Sequence, residues 1–347
     1  MCIRKILCAA LCALLLVGCA QGAAAPAFIP HGYLTDESVA QVGEALYAFL
    51  PKTGEAGPRT YLCELRQGQA PRSVCNRAGC AHMEQSTLVD PCNAYAAAGR
   101  GLLAAGDALY ASDGRRIVRY DPEGGAPEVV LSTEGNLRCF LVLEEAIVFS
   151  LQGAEGGGFY SVPRDSAGEV PVPLYELDGA GSYIGCAQLL DGWIYLTEVR
   201  MDSGGQMNLV RVRPDGSACE VFAENAGGHC LVPLEGGLAA VRQGETDYEV
   251  VLLAESGQAV RTLCTTETYP LLCPAGDGLL VDEGSAFPAA ERALWRYDAA
   301  GEPVGTAAVP AACGAPLGAD AETVYYWEET DAGPNLVRMD LTKAAER

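Results

Sequence analysis

The chain has 347 residues, enough for one large β domain or two ordinary domains, and its 49% apolar content is ample for a buried core. Its formal net charge of -22 at pH 7 argues against nucleic acid or an anionic lipid surface as a partner, because phosphate binding needs an excess of lysine and arginine. The 41 glycines and 20 prolines are scattered, which favours many turns between short strands and leaves little room for long helices.

The N-terminus carries a short leader. Arg4 and Lys5 precede an apolar run, residues 6–17, that is too short to span a bilayer and is typical of a signal peptide. The run ends in the tetrapeptide LVGC, whose last residue is Cys19, and this sequence resembles a bacterial lipobox. The resemblance implies cleavage before Cys19 and diacylation of its thiol. An ordinary secretory signal with an incidental cysteine is the alternative.

The leader predicts a location for the protein. Two acyl chains are enough for stable anchoring, where one would be marginal. We therefore expect residues 1–18 to be a lipoprotein signal peptide and residues 19–30 a lipid-anchored tether on the extracytoplasmic face of the cell membrane. Residues 31–347 would then form the folded domain.

A repeated unit organises that domain. Its clearest copy, residues 108–124, contains two short apolar strands, Leu109–Ala111 and Ile117–Tyr120, closed by a turn with proline and glycine. Further strands are predicted on either side, at Leu102–Ala104 and Glu128–Leu131. Each unit therefore supplies four short strands.

The spacing of the units predicts the architecture. The first apolar residue of each second strand recurs after 63 residues and then at intervals of 38 to 47, near the length of a propeller blade. This periodicity predicts an all-β fold, a single β-propeller of about seven four-stranded blades. The last unit ends after its third strand, and we expect a strand at Phe28–Tyr33 to complete that blade and close the ring. The reference residues are Leu46, Leu109, Ile147, Ile194, Leu238, Leu279 and Val324.

The turns that precede the reference strands are acidic. In a propeller all of them should lie on one face of the disc, where an acidic ring could bind a cation or a basic partner. The other interpretation is that acidic residues and glycine are simply good turn formers. The residues are Glu44, Asp107, Glu144, Glu145, Asp191, Glu235, Asp277 and Asp320.

The long first interval holds a cysteine-rich insertion at about residues 72–95. Three thiolates and one imidazole there could complete a tetrahedral zinc site. With Cys63 just upstream, the same segment offers four cysteines, and extracytoplasmic cysteines more often form disulfides. Free thiols are the third alternative, and all three are structural roles. The candidate metal ligands are Cys75, Cys80, His82 and Cys92.

The leader and this insertion together carry a resemblance to a known group of proteins. The spacing Cys-x4-Cys-x-His from Cys75 to His82, followed by Cys92, Asn93 and Ala94, resembles that of lipid-anchored β-propeller proteins of gut-dwelling Firmicutes. These are related to a propeller domain of unknown function. The resemblance implies that the cysteine-rich insertion belongs to the first blade, and it implies no activity.

Five more cysteines stand at comparable places ahead of the reference strands. Equivalent places in a repeat are equivalent places around the axis, near the crowded innermost strand, where cysteine acts as a small buried apolar residue. A metal-binding ring of thiols is the alternative. Positions on different blades are too far apart for disulfides. These residues are Cys139, Cys186, Cys230, Cys273 and Cys313.

The sequence contains none of the common catalytic motifs. It has three histidines and lacks Gly-x-Ser-x-Gly, a phosphate loop, a dinucleotide fingerprint and HExxH. We expect a non-catalytic binding or scaffolding module for a protein, peptide or glycan, with repeat aromatics in the core and residues 283–291 as the candidate ligand loop. One alternative is an extracytoplasmic lyase or hydrolase acting on polysaccharide or peptidoglycan at the channel mouth. The other is a metal-handling or redox surface protein that uses the cysteines.

Overall fold

The computed structural model of the chain is a β-propeller of seven antiparallel sheets, so the predicted all-β fold and the number of blades are confirmed. The described residues contain strands and one short 3-10 turn but no α-helix. No helix in this part of the chain is therefore long and apolar enough to cross a membrane. The structure describes residues 27–28, 38–54, 57–66, 69–80, 92–96, 100–152, 157–164, 169–177, 181–283, 292–311, 313–330 and 333–341.

Strand β1 (Ala27–Phe28) precedes the first blade, and blades 1 to 3 follow in chain order. Blade 1 contains β2 (Val39–Val42), β3 (Ala45–Gly54), β4 (Gly57–Leu65), β5 (Arg72–Ser73) and β6 (Tyr95–Ala96). Blade 2 contains β7 (Arg100–Ala105), β8 (Ala108–Ser112), β9 (Arg116–Tyr120) and β10 (Glu128–Ser132). Blade 3 contains β11 (Asn136–Val142), β12 (Ala146–Gln152), β13 (Gly157–Pro163) and β14 (Val172–Glu176).

Blades 4 to 7 repeat the pattern, and the last has three strands of its own. Blade 4 contains β15 (Tyr183–Leu190), β16 (Trp193–Arg200), β17 (Gln206–Val212) and β18 (Cys219–Ala223). Blade 5 contains β19 (Ala226–Leu234), β20 (Gly237–Gln243), β21 (Tyr248–Leu253) and β22 (Ala259–Thr266). Blade 6 contains β23 (Leu271–Ala275), β24 (Gly278–Asp282), β25 (Arg292–Tyr297) and β26 (Pro303–Val309). Blade 7 contains β27 (Cys313–Ala319), β28 (Thr323–Thr330) and β29 (Gly333–Asp340).

The two faces of the disc follow from this strand order. The first strand of each blade contacts the first strands of neighbouring blades, so these strands surround the axis. Every acidic turn identified in the sequence joins a first strand to a second strand, which places all of them on one face, here called the turn face. The opposite face is where first strands begin and second strands end, and is here called the mouth face.

The ring closes through β1. Phe28 pairs with Gly318 of β27, and β1 also contacts β2 of blade 1. The sequence predicted that a strand at Phe28–Tyr33 would complete blade 7 and close the ring; the described strand, Ala27–Phe28, completes that blade as a neighbour of its innermost strand. The reason is connectivity, because the chain must reach β2 beside the axis. Residues 29–37 lie outside the described part of the chain, and Ala27 belongs to the segment interpreted as tether.

Both faces of each blade are buried, because alternate residues of a strand point to opposite sides. In β4, Leu62 packs in an apolar cluster shared with blade 2, whereas Cys63 packs in one shared with Leu317 and Trp327 of blade 7. The repeat aromatics are largely part of this core, as predicted. Those that are at least nine-tenths buried are Tyr110, Tyr120, Tyr297, Tyr326 and Trp327.

Candidate functional site

The outer strand of blade 1 is interrupted by the cysteine-rich insertion. Strand β5 pairs with Cys63 and Glu64 of β4, and β6 pairs with the preceding part of the same strand. Between them Leu62 divides its two backbone hydrogen bonds, accepting one from Val74 N (2.9 Å) and donating the other to Ala94 O (2.7 Å). Strands β5 and β6 are thus halves of one outer strand, with an excursion of about 20 residues at a single point opposite Leu62.

This excursion accounts for the long first interval of the repeat. The three cysteines of the insertion, Cys75, Cys80 and Cys92, converge at its base and are here called the cysteine cluster. Their Sγ atoms all lie within 4.8 Å of one another. Cys92 is 3% exposed, and the other two are half-buried. Since tetrahedral sites with Zn–S bonds of about 2.3 Å separate sulfurs by about 3.8 Å, small side-chain rotations suffice to bind a metal here.

A turn of blade 2 docks against the base of the excursion. The carbonyl oxygen of Gly124 accepts one hydrogen bond from Asn76 N (3.0 Å) and another from Asn93 Nδ2 (2.8 Å). Each asparagine directly follows a cysteine of the cluster. A Cβ on Gly124 would lie 2.7 Å from Asn76 N and 2.8 Å from the backbone of Cys75, and Gly124 has a φ of +89°. Only glycine fits this contact without strain.

The thiols of the cluster differ in acidity. Burial opposes ionisation of Cys75, but hydrogen bonds from the backbone of Arg77 and Asn93 and from the other two thiols outweigh it and lower its pKa. Burial raises the pKa of Cys92 to about 12. The arrangement stabilises a thiolate at Cys75, and a bound cation would be needed to keep the Cys92 sulfur deprotonated as well.

Three further residues were named as candidates from the sequence, namely Cys63, His82 and Cys19. Cys63 is fully buried in the same apolar cluster but is outside the group of three sulfurs that lie within 4.8 Å of each other. No disulfide joins any of the eleven cysteines in the described ranges. His82, the predicted fourth ligand, and Cys19, the predicted lipid anchor, both lie outside the described residues.

The five repeat cysteines lie on the innermost strands of blades 3 to 7, and all five are buried. Burial raises the pKa of Cys139 and of Cys230 to about 12. Within the described part of the chain, no three of these thiols approach one another as closely as those of the cysteine cluster do. Their role is therefore that of small apolar core residues, and the alternative of a metal-binding thiol ring has no support.

A recess of 310 Å³ opens on the mouth face between blades 4 and 5. Tyr183 and Tyr248 are the first residues of β15 and β21, His229 lies near the start of β19, and Tyr269 precedes β23. The Tyr269 ring packs edge-to-face against His229, with ring centroids 5.2 Å apart, and against Tyr248 at 5.3 Å. The guanidinium of Arg138 lies 5.1 Å from the Tyr183 ring centroid. Tyr183, His229 and Tyr269 lie on or directly before first strands, which surround the axis, so the recess lies beside the channel mouth.

A register shift in β19 positions His229. Between Gly227 and Val232 the ladder with β20 is disrupted, and side chains of blade 4 replace the missing partners. Thr197 Oγ1 bonds to both N and O of Gly228, at 3.1 and 2.9 Å, and the Cys186 thiol donates to His229 O at 3.0 Å. Side chains of blade 4 therefore fix the backbone of Gly228 and His229, which forms the blade 5 side of the recess.

The side chains that line the recess are uncharged at neutral pH, although the guanidinium of Arg138 lies beside Tyr183. Burial lowers the pKa of His229 and raises that of Tyr269. Aromatic walls, glycine backbone at Gly185 and Gly228, and the amide of Gln243 make up much of its lining. Such a surface suits a ligand with apolar faces and hydrogen-bonding edges.

The buried polar groups near the mouth face are structural. Cys186 donates to a backbone carbonyl, not to an imidazole, and burial raises its pKa well above the usual range, so it is not an activated nucleophile. Arg292 and Asp282 form a buried bidentate ion pair at 2.7 and 3.1 Å. Arg292 also donates to Cys313 O at 2.8 Å, which ties blade 6 to blade 7. This pair has no access to substrate, since Asp282 is fully buried.

A larger groove of 840 Å³ lies between blades 7 and 1, beside Trp327 and Arg338. Its lining includes the charged side chains of Glu44, Glu64, Arg66 and Arg338. The recess, in contrast, is lined by aromatic rings and uncharged side chains. We therefore take the recess as the candidate binding site and the cysteine cluster as the candidate metal site.

The recess could not be found by sequence reasoning. The surroundings of His229 in the sequence favour a loop or packing role, and nothing in the sequence singles out the tyrosines. Their common signal is position, because Arg138 and His229 directly precede inner-strand cysteines and Tyr183 stands three residues before another. Alignment of the repeats on these cysteines places Arg138 and His229 at one position and Tyr183 two positions earlier, and it does not reveal Tyr248. Of the predicted ligand loop, residues 284–291 lie outside the described part of the chain.

Neither a protein family nor a curated protein matches this chain. Solved structures do. A puromycin-hydrolyzing peptidase of Mycobacterium tuberculosis aligns with a TM-score of 0.60 and 14% identity, over 91% of this chain and 53% of that one. The CNH domain of AfRom2 aligns at 0.54 and 11%, over 92% and 98%. The acylaminoacyl peptidase of Pyrococcus horikoshii aligns at 0.54 and 10%, over 89% and 51%. The chain spans about half the length of either peptidase, and at these identities the similarity shows a shared β-propeller fold alone.

Proposed function

We propose that this chain is a lipid-anchored, extracytoplasmic β-propeller that binds a glycan, without catalysis, in the recess on the mouth face. The observation that supports this proposal is the uncharged aromatic corner formed by Tyr248, Tyr269 and His229 beside the channel mouth. Propellers commonly present such a surface to a ligand, and function has to be argued from the site, not from the fold.

The chemistry of the recess favours a neutral sugar residue. Flat aromatic rings pack against the apolar C–H face of a sugar, while phenol and amide groups bond to its hydroxyls. The volume of 310 Å³ suits a single ring of the glycan. The chain's net charge of -22 disfavours polyanionic polysaccharides, so we expect selectivity for uncharged glycans.

The lipobox-like sequence supports the anchoring part of the proposal. With Cys19 acylated, the extended chain from Cys19 to Ala27 would span at most about 30 Å. The disc would then stay close to the membrane surface, with its ligand at the base of the cell wall. This location remains a prediction, and its test is metabolic labelling with an alkyne fatty acid, which Cys19→Ser should abolish.

A glycan array probed with the detergent-solubilised full chain tests the binding role. We expect retention of neutral glycans, a loss of at least about tenfold in affinity for Tyr248→Ala, and less than threefold for Tyr248→Phe, which keeps the ring. Equal binding by the Tyr248→Ala variant would place the ligand elsewhere. Absence of glycan binding by the wild-type chain would refute the proposal.

A second role is favoured by a separate observation, the convergence of three thiols in the cysteine cluster. We propose that the cluster holds a metal ion. The sequence predicts His82 as a fourth ligand, and that assignment stays a prediction.

A further inference from the structure

We infer that the cysteine cluster is a structural zinc site whose loading locks the outer strand of blade 1 onto blade 2. The inference rests on the metal-binding role proposed above and adds the identity of the metal and its mechanical consequence. Its basis is the position of the cluster at the base of the excursion, where the two halves of one strand part and meet again.

The donor set favours zinc. Thiolates select Zn²⁺, Cu⁺ or iron–sulfur clusters over hard cations such as Mg²⁺ and Ca²⁺. A disulfide within the cluster would use only two of the three sulfurs that lie within 4.8 Å of one another. A zinc ion uses all three, and the thiols release their protons when it binds.

The lock follows from what stands next to the ligands. Asn76 and Asn93 come directly after Cys75 and Cys92, and both donate to the Gly124 carbonyl of blade 2. A metal that fixes the two cysteines relative to each other also fixes the two asparagines. Because zinc orders both hydrogen-bond donors in advance, the formation of their bonds to the Gly124 carbonyl costs less conformational entropy.

The short strands on either side of the excursion explain why a crosslink there would stabilise blade 1. An outer strand interrupted after Val74 and resumed at Ala94 has few ladder hydrogen bonds on either side, because β5 and β6 contain two residues each. Such short strands open easily on their own. A crosslink at the point of interruption holds both halves against β4.

The first measurement is metal content. Full chain purified in detergent is stripped with a chelator, reloaded with Zn²⁺, and examined by elemental analysis and native mass spectrometry. We expect about one zinc per chain for the wild type and for Cys219→Ser, an exposed cysteine on β18, and less than about 0.1 when all three cluster cysteines are serine. A metal-free chain about 2 Da lighter would indicate a disulfide, and would end both the metal role and the lock.

The second measurement separates the lock from metal binding. Zinc should slow hydrogen exchange of residues 121–127 at least about tenfold in the wild type. The Asn93→Ala variant keeps every ligand and the bond from Asn76 N but loses the side-chain bond to Gly124 O, so it should bind one zinc and show a slowing at least about threefold smaller than that of the wild type. Zinc bound without slowing in the wild type, or with equal slowing in the Asn93→Ala variant, would overturn the lock and leave the metal role standing.

Discussion

Two sets of cysteines in this propeller have opposite surroundings. The five on the inner strands stand at comparable places in the repeat, and all of them are buried beside the axis. The three of the cysteine cluster lie on an excursion that the repeat does not contain, and they face one another. Cysteine is thus a small apolar core residue in one region and a candidate metal ligand in the other.

The difference shows what a repeat can and cannot bring together. Rotation about the axis carries equivalent residues to equivalent but separate places, so the inner thiols remain apart. An insertion is free of that symmetry and can fold its own residues onto one point. The cost is a broken outer strand, compensated by hydrogen bonds from Asn76 and Asn93 to blade 2.

The largest expected contrast is in reactivity toward iodoacetamide. At pH 8 a buried thiol with a pKa of about 12, such as Cys139, has a thiolate fraction of roughly 10⁻⁴. Half-buried Cys75 should therefore be labelled at least about a thousandfold faster in the metal-free chain, as followed by peptide mapping. Zinc should protect Cys75 and leave Cys139 unchanged.

The direction of the pH dependence follows from the inner thiols alone. Burial raises the pKa of Cys139 and Cys230 in the folded chain above the unfolded value, so their contribution to the free energy of unfolding is complete below about pH 8.5 and is lost as the pH rises toward 12. Labelling of Cys139 as fast as that of Cys75 at pH 8 would contradict the assignment of the inner thiols to a closed core.

The next contrast is in stability. Cys230→Ser places a hydroxyl where burial is complete and the thiol makes only a long contact, 3.8 Å, with Leu231 O. We expect the free energy of unfolding to fall by about 3 kcal/mol, against about 1 kcal/mol for Cys230→Ala, because an unsatisfied buried polar group adds to the lost packing. Urea unfolding curves give both values.

The matched control is Cys219→Ser, since Cys219 is exposed on the outer strand of blade 4 and its loss should change stability by less than about 0.5 kcal/mol. If the serine and alanine variants of Cys230 were equally stable, water would have to reach the side chain at position 230. Its assignment as an apolar spacer would then be wrong.

The inner set could be predicted from the sequence because its signal is periodic. The reference residues lie in the second strands of all seven blades, and β8 and β9 contain the strands predicted at Leu109–Ala111 and Ile117–Tyr120. Local turn chemistry and apolar runs determine these elements, so no distant contact was needed.

The candidate sites depend on contacts between blades and were only partly foreseen. The three cysteines could be named from their spacing, but the exclusion of Cys63 follows from its place in β4 opposite Ser73. The recess joins Tyr183 of β15, His229 of β19 and Tyr269, which lies just before β23. No window of sequence contains such a group, and only the closed ring brings its members together.

The smallest expected effect concerns the contact that ties the excursion to the repeat. Gly124→Ala combines a left-handed backbone with a Cβ that would lie 2.7 Å from Asn76 N, whereas a Cβ on Gly114, which has a φ of +92°, would meet no atom of the described residues within 4 Å. We expect Gly114→Ala to lower the unfolding free energy by about 1 kcal/mol, from backbone strain alone, and Gly124→Ala by about 1 kcal/mol more.

The extra loss should appear in urea titrations of the zinc-loaded chain and shrink after chelation, because an unlocked excursion can move away from the new methyl group. Equal losses in the two variants would mean that blade 2 does not bear on the excursion, and that the cysteine cluster is independent of the repeat beside it.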